Sequence, residues 1–222
     1  MKISVIIPTI RDSILNEKCL ERQTFKNFET IVQRPTRVKP PGHFYQLSHD
    51  YNLAIKKSKG ELIISYQDGI EIRPDTLERF WEHYKSNPKS IVGAVGDQYA
   101  TLIPPVKVWV DPRRRTDFGS FYECVPEDIE FTLCSIPRKG IFEVGGFDEE
   151  YDLGAAVGEK ELMRRLDKAG YRSYLDQSVE YRALHHERLT KDWDKYYMIA
   201  SNLYHKHILE IEQGERRRVD FL

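Results

Sequence analysis

The chain has 222 residues, a formal net charge of −1, and is 40% hydrophobic and 31% charged. This is the balance of an ordinary globular protein, not of a disordered chain, and it lacks the charge excess of a nucleic-acid or membrane-surface binder. The length suits one α/β domain and buries about 70% of the unfolded surface, so folding needs neither disulfides nor a structural metal. Cys19, Cys124 and Cys134 show no C-x-x-C or metal-ligand spacing, which fits a reducing compartment. The apolar N-terminus is too short for a signal peptide and no run reaches membrane-spanning length, so the expected location is cytoplasmic.

Residues 3–7 are β-branched apart from Ser4 and are closed by Pro8, which predicts a buried first strand. A helix is expected over 13–23 and a second strand over 28–33, an alternation that implies right-handed crossovers and a parallel sheet covered on both faces. Pro35, Pro40, Pro41 and Gly42 mark a loop. Helical spacing then runs over 44–57 through Leu47, Tyr51 and Ile55 and stops at Gly60.

The apolar run 62–65 reads as a strand buried on both faces, ending in the polar turn Gln67-Asp68-Gly69. In open α/β sheets ligands bind beyond the carboxyl ends of strands, which makes Asp68 a candidate; a plain Asp-Gly turn is the alternative. Pro74 and Asp75 start a helix whose Leu77, Phe80, Trp81 and Tyr84 recur at three- and four-residue spacing, and 91–95 is a further strand. From 99 to 130 the periods fade among Pro104, Pro105, Pro112 and Pro126, with the basic run Arg113-Arg114-Arg115. So long a stretch without a period reads as a functional loop region.

A strand is expected over 131–136 and a short helix over 138–144. The turn Gly145-Gly146-Phe147-Asp148 follows, then a helix over 159–169 with Leu162, Met163 and Leu166 on one face. Residues 171–175 and 179–184 are strand-like and precede His185-His186. A long helix over 192–213 and the tail Arg216-Arg217-Arg218 close the chain.

Several of these pieces, in this order, resemble the glycosyltransferase family 2 group: Ser4-Val5-Ile6-Ile7-Pro8-Thr9, Gln23-Thr24-Phe25-Lys26-Asn27-Phe28-Glu29, Tyr51-Asn52-Leu53-Ala54-Ile55 with Gly60, Val144-Gly145-Gly146-Phe147-Asp148-Glu149, Gly158-Glu159-Lys160-Glu161-Leu162 and Ala169-Gly170-Tyr171-Arg172. The resemblance covers residues 2–186 and implies a GT-A-type, Rossmann-like α/β sandwich with a mainly parallel central sheet, helices on both faces and a C-terminal helix. The expected division is a glycosyltransferase domain over 1–190 and a helical extension over 191–222 packed on the same domain.

The activity so implied is inverting transfer of a hexosyl or pentosyl group from a nucleotide diphosphate sugar, most commonly a UDP-sugar in this family, to a hydroxyl of a glycan or other acceptor. Similar enzymes carry an acidic pair at the start of the helix near 159, the second member taking the acceptor proton. Counting back from Ala169-Gly170-Tyr171 gives that role to Glu159, whereas counting from Gly158-Glu159 gives it to Lys160, which leaves no base. A first-turn carboxylate also suits the helix dipole. Relatives hold Mn²⁺ or Mg²⁺ at an Asp-x-Asp-like turn, here Gln67-Asp68-Gly69, so Asp68 is the expected metal and diphosphate ligand. His185 or His186 is a further expected ligand, one and not both because neighbours on a strand face opposite ways, with His185 slightly favoured.

Pro8, Thr9, Arg11 and Gln33 are expected to line the nucleotide pocket with Gln67 and Asp68. Gln33-Arg34-Pro35 stands where relatives have an acidic pair, which leaves the base open. Trp109, Phe118, Phe121 and Tyr122 offer faces for a sugar, and Gly146, Phe147 and Asp148 correspond to the acceptor side. Residues 113–115 could meet an anionic acceptor, although the whole-chain charge argues against nucleic acid. A carbohydrate- or nucleotide-binding module without catalysis, on the same fold, is the other reading.

Overall fold

The computed structural model describes residues 1–11, 17–36, 46–117, 119–154, 157–184 and 192–220. The chain alternates β1 (Ile3–Pro8), α1 (Glu17–Glu21), β2 (Phe28–Gln33), α2 (Leu47–Lys57), β3 (Leu62–Tyr66), β4 (Ile70–Ile72) and α3 (Thr76–Ser86). It continues through β5 (Ser90–Leu102), β6 (Pro105–Trp109), β7 (Phe121–Glu123), β8 (Leu133–Pro137) and α4 (Arg138–Glu143), and ends with α5 (Gly158–Lys168), β9 (Arg172–Leu184) and α6 (Trp193–Glu212).

The sheet runs in the order β2-β1-β3-β8-β5-β9-β4, with β6 on β5 and β7 on β9. β1 is parallel to both β2 and β3, and β5 is parallel to β9, while β8 lies antiparallel between β3 and β5. Along that path only β8 and β4 oppose the common strand direction.

Period-2 alternation sorts the strand side chains between two cores. Ile3, Val5, Ile7, Leu62 and Ile64 pack with Leu20 of α1 and with Leu77, Phe80 and Trp81 of α3 on one face. Ile6, Ile63, Cys134 and Ile136 meet Tyr51 and Ile55 of α2 and Leu162, Met163 and Leu166 of α5 on the other. Helices therefore cover both faces, as the sequence pattern predicts. Because α1 and α2 lie on opposite faces while β1 is flanked by β2 and β3, a topological switch point falls between the carboxyl ends of β1 and β3, where open sheets place their ligands.

The structure departs from the sequence reading most between residues 99 and 130. β5 runs on to Leu102 and folds back through a cis Ile103–Pro104 bond into β6, and β7 adds an edge segment beside β9. All five residues of β6 are exposed, so no alternation marks it. Residues 171–175 and 179–184 join into the single strand β9, whose pairing with β5 skips from Asp176 to Glu180. The sequence pattern also gives no sign of β4, which is three residues long. Among the described residues no helix is long and apolar enough to cross a membrane.

Candidate functional site

At the switch point, β1 ends in Pro8 and Thr9, and β3 ends in a turn that Gly69 closes with a positive φ of 98°. Thr9 Oγ1 donates to Asp68 Oδ2 at 2.8 Å, and Arg11 NH1 reaches the same oxygen at 3.1 Å. Asp68 is nearly enclosed, its side chain 4% exposed, whereas that of Arg11 is 46% exposed. The backbone N–H of Arg11 donates back to Thr9 Oγ1 at 3.0 Å, so the hydroxyl ties the turn to the carboxylate.

From β2, Gln33 O accepts from the Thr9 N–H at 3.0 Å, and Gln33 Oε1 accepts from Lys57 Nζ at 2.8 Å. Arg34 Nε donates to Arg11 O at 3.2 Å. Thr9, Arg11, Gln33 and Asp68 thus converge at one corner beside Pro8. Gln67 is exposed there, its N–H bonded to Thr132 O at 2.9 Å. Arg34, which the sequence offers only as part of a departure from the family pattern, is brought there by the parallel pairing of β1 with β2.

Glu159 stands in the first turn of α5, beyond the antiparallel strand β8. Burial pushes its carboxyl above the ordinary range, and its own N–H and Lys160 oppose that shift. Glu130, just before β8, adds to the rise. Burial raises the Cys134 thiol of β8, and the charge of Glu159 adds to that rise.

The basic run near residue 113 is neutralised from within. Arg113 NH2 meets Asp111 Oδ2 at 2.6 Å and Glu130 Oε2 at 3.2 Å, and Arg113 NH1 donates to Asp128 O at 2.8 Å. Arg114 pairs with Asp97 and Glu180. Burial alone would raise the Asp111 carboxyl, but Arg113 and the Gly96 N–H outweigh it and hold it below the usual range. Residues 113 and 114 therefore brace the loop after β6 and form no free anion-binding patch. Asp97 and Asp111, which the sequence reading missed, are the buried partners, and a carboxylate-to-arginine spacing in the irregular stretch was their sole signal.

The acceptor-side candidates are dispersed. Phe147 is 3% exposed. Its ring stacks on Tyr51 with centroids 4.8 Å apart, and its backbone N–H and C=O bond to Asn52, which gives it to the core and leaves an acceptor no ring face. Gly146 adopts φ 90° and its carbonyl accepts from Arg165. Asp148 takes the Glu150 N–H and the Arg216 guanidinium. Trp109 is exposed at the end of β6, and Phe121 is stacked between His83 and Tyr174. His185, His186 and Phe118 lie outside the described residues.

Among the described residues, one set of three metal-ligand side chains gathers within 4.8 Å: Asp148, Glu150 and His207. His207 is buried, and burial and Arg216 push its imidazole below the ordinary range while Asp148 opposes them. Arg216 occupies Asp148 Oδ2, the oxygen nearest His207, so the group reads as the docking point of α6 on the loop before α5.

No family model and no curated protein matches the chain. Solved structures do. S. aureus TarS 1–349 in complex with UDP superposes with a TM-score of 0.57 at 15% identity, over 83% of this chain and 61% of that one. S. aureus TarS gives 0.58 at 14% identity over 83% and 37%. GalNAc-T7 with UDP, GalNAc and Mn²⁺ gives 0.62 at 13% identity over 84% and 44%. The chain spans less than two thirds of the length of these structures. The likeness establishes the architecture: the chain has the GT-A type of α/β fold.

Proposed function

We propose that the chain is a glycosyltransferase that moves a sugar from a UDP-sugar to an acceptor hydroxyl with inversion at the anomeric carbon. The observation that carries this reading is the Thr9–Asp68 hydrogen bond, which joins the carboxyl ends of β1 and β3 at the switch point of a GT-A sheet. The UDP in the TarS and GalNAc-T7 structures supports the choice of donor.

In the proposed reaction the acceptor oxygen attacks the anomeric carbon, the bond to the β-phosphate oxygen breaks, and UDP leaves with that electron pair. Glu159 takes the acceptor proton. Its partly buried position raises its affinity for that proton, which suits a general base working near neutrality.

The fold family implies Mn²⁺ or Mg²⁺, and the GalNAc-T7 structure contains Mn²⁺. The described residues do not assemble a site for it at this corner. Asp68 is the only carboxylate of the turn, and its Oδ2 already accepts from a hydroxyl and a guanidinium. The proposed reaction therefore takes no step through a metal. The same single-carboxylate turn favours, as a second reading, a nucleotide-sugar-binding module without turnover.

The test is UDP release from a panel of UDP-sugars by the wild type and Glu159→Gln, with and without Mn²⁺. Release in the wild type that the Glu159→Gln substitution abolishes supports the transferase. Stabilisation by a donor without release under any condition supports the binding module, and no response to any donor refutes both.

A further inference from the structure

Charge is distributed unevenly at the corner between β1 and β3. Among the described residues, Arg11, Arg34 and Lys57 are cations bonded into this corner, and Asp68 is a carboxylate of it. Cationic side chains at the end of a strand suit the negative charge of a diphosphate. Guanidinium groups suit phosphate because their planar N–H fork meets two oxygens at once.

The geometry around Arg11 is pre-organised. Asp68, almost fully buried, accepts from NH1, and the hydroxyl of Thr9 holds both that carboxylate and the Arg11 N–H. One nitrogen is thereby anchored while nearly half of the side chain faces solvent. A guanidinium has five N–H donors, so an anchored Arg11 can still present a donor edge outward. Arg34, bonded through Nε to the Arg11 carbonyl, sets a second guanidinium beside it.

We infer that Arg11, held in place by Asp68, is the diphosphate-binding residue of this corner, so that a nucleoside diphosphate binds here without a divalent cation. Asp68 then acts as a positioning residue for Arg11. The inference rests on the donor reading above, yet the two fail in different ways.

The test is calorimetric titration of UDP and of uridine into the wild type, Arg11→Ala, Arg11→Lys and Asp68→Asn, each in EDTA and in Mn²⁺. Wild-type UDP binding should survive EDTA with little change. The loss of a charge-assisted contact in Arg11→Ala should weaken UDP binding by about tenfold to a hundredfold and leave uridine binding unaltered. Arg11→Lys should recover part of the loss. Asp68→Asn should weaken UDP binding less than Arg11→Ala, because it loosens the guanidinium without removing it. Arg11→Ala takes a partner from the nearly buried Asp68 carboxylate and should melt lower than the wild type, so every titration is run well below the lowest melting temperature, and Arg11→Lys, which keeps the charge, separates lost binding from lost stability.

UDP binding that requires Mn²⁺ would overturn the inference and leave the donor reading standing. UDP affinity unchanged in Arg11→Ala would do the same. An absence of UDP binding in both conditions would remove the donor reading and this inference together.

Discussion

Arg165 NH2 meets Glu161 Oε2 at 2.7 Å with neither side chain exposed, one turn apart on α5. The same guanidinium donates to Val144 O at 2.5 Å and to Gly146 O at 2.7 Å, so it fastens the helix that carries Glu159 to the double-glycine turn. Breaking a buried pair leaves its partner uncompensated. Arg165→Ala should therefore cost about 3–5 kcal/mol in urea unfolding, with Arg165→Met milder because its stem still fills the space. A loss under about 1 kcal/mol would show that Arg216, which also meets Glu161 at 3.1 Å, substitutes for it.

Glu159→Gln separates catalysis from stability. As the proposed base, Glu159 contributes ~10²–10⁴-fold, and turnover should fall by that factor. Its folded-state affinity for a proton is raised, so the stability that the protonated form contributes is present below the unfolded-state value and is lost as pH rises through the folded one. The neutral amide should thus melt no lower than the wild type near pH 7. Wild-type turnover should climb as pH rises through the raised value and then level off. A profile unchanged by the substitution would show that another group takes the proton.

Asp111 has the opposite sign. Arg113 and two backbone N–H groups hold its carboxyl low despite burial, so its stabilisation is present above the unfolded-state value and is lost as pH falls through the folded one. The melting temperature of Asp111→Asn should lie well below that of the wild type at pH 7, and the gap should narrow as the pH is lowered through the acid range. A gap constant with pH would assign the loss to packing alone.

Gly145 is one point where the C-terminal segment touches the turn between α4 and Phe147. Its φ is +86°, and an added Cβ would fall 1.5 Å from Val219 O, whose residue donates its N–H to Val144 O at 3.1 Å. Gly145→Ala should destabilise by more than the ~1–2 kcal/mol of the left-handed conformation alone, because the tail must also move. Trypsin should then cleave after Arg217 or Arg218 faster than in the wild type. Unchanged cleavage would mean that the tail adjusts without detaching.

The first half of the sheet was legible because β1 and β3 are buried on both faces. Ile3 to Ile7, apart from Ser4, and Leu62 to Ile64 are apolar runs ended by Pro8 and by a polar turn. Legibility ended near Tyr99, where β5 leaves the core and pairs with a wholly exposed β6. Edge strands held by backbone pairing carry little side-chain signal. For the same reason Arg113 and Arg114 read as a free basic run, since their partners Asp97, Glu130 and Glu180 come from separate elements.

By itself the sequence determined the α/β alternation of β1, β2 and β3 with their helices and the position of Pro8, Thr9, Arg11, Gln33 and Asp68 at or just beyond ends of strands, because apolar periodicity and turn chemistry are local properties. The tertiary structure decided which candidates meet. Parallel pairing of β1 with β2 and β3 brings Thr9 and Arg11 onto Asp68 and Arg34 onto the Arg11 carbonyl, while packing sends Phe147 into the core and ties Asp148 to Arg216. Strand register and charge pairing are long-range, so which oxygen a guanidinium occupies follows only from how the chain is folded.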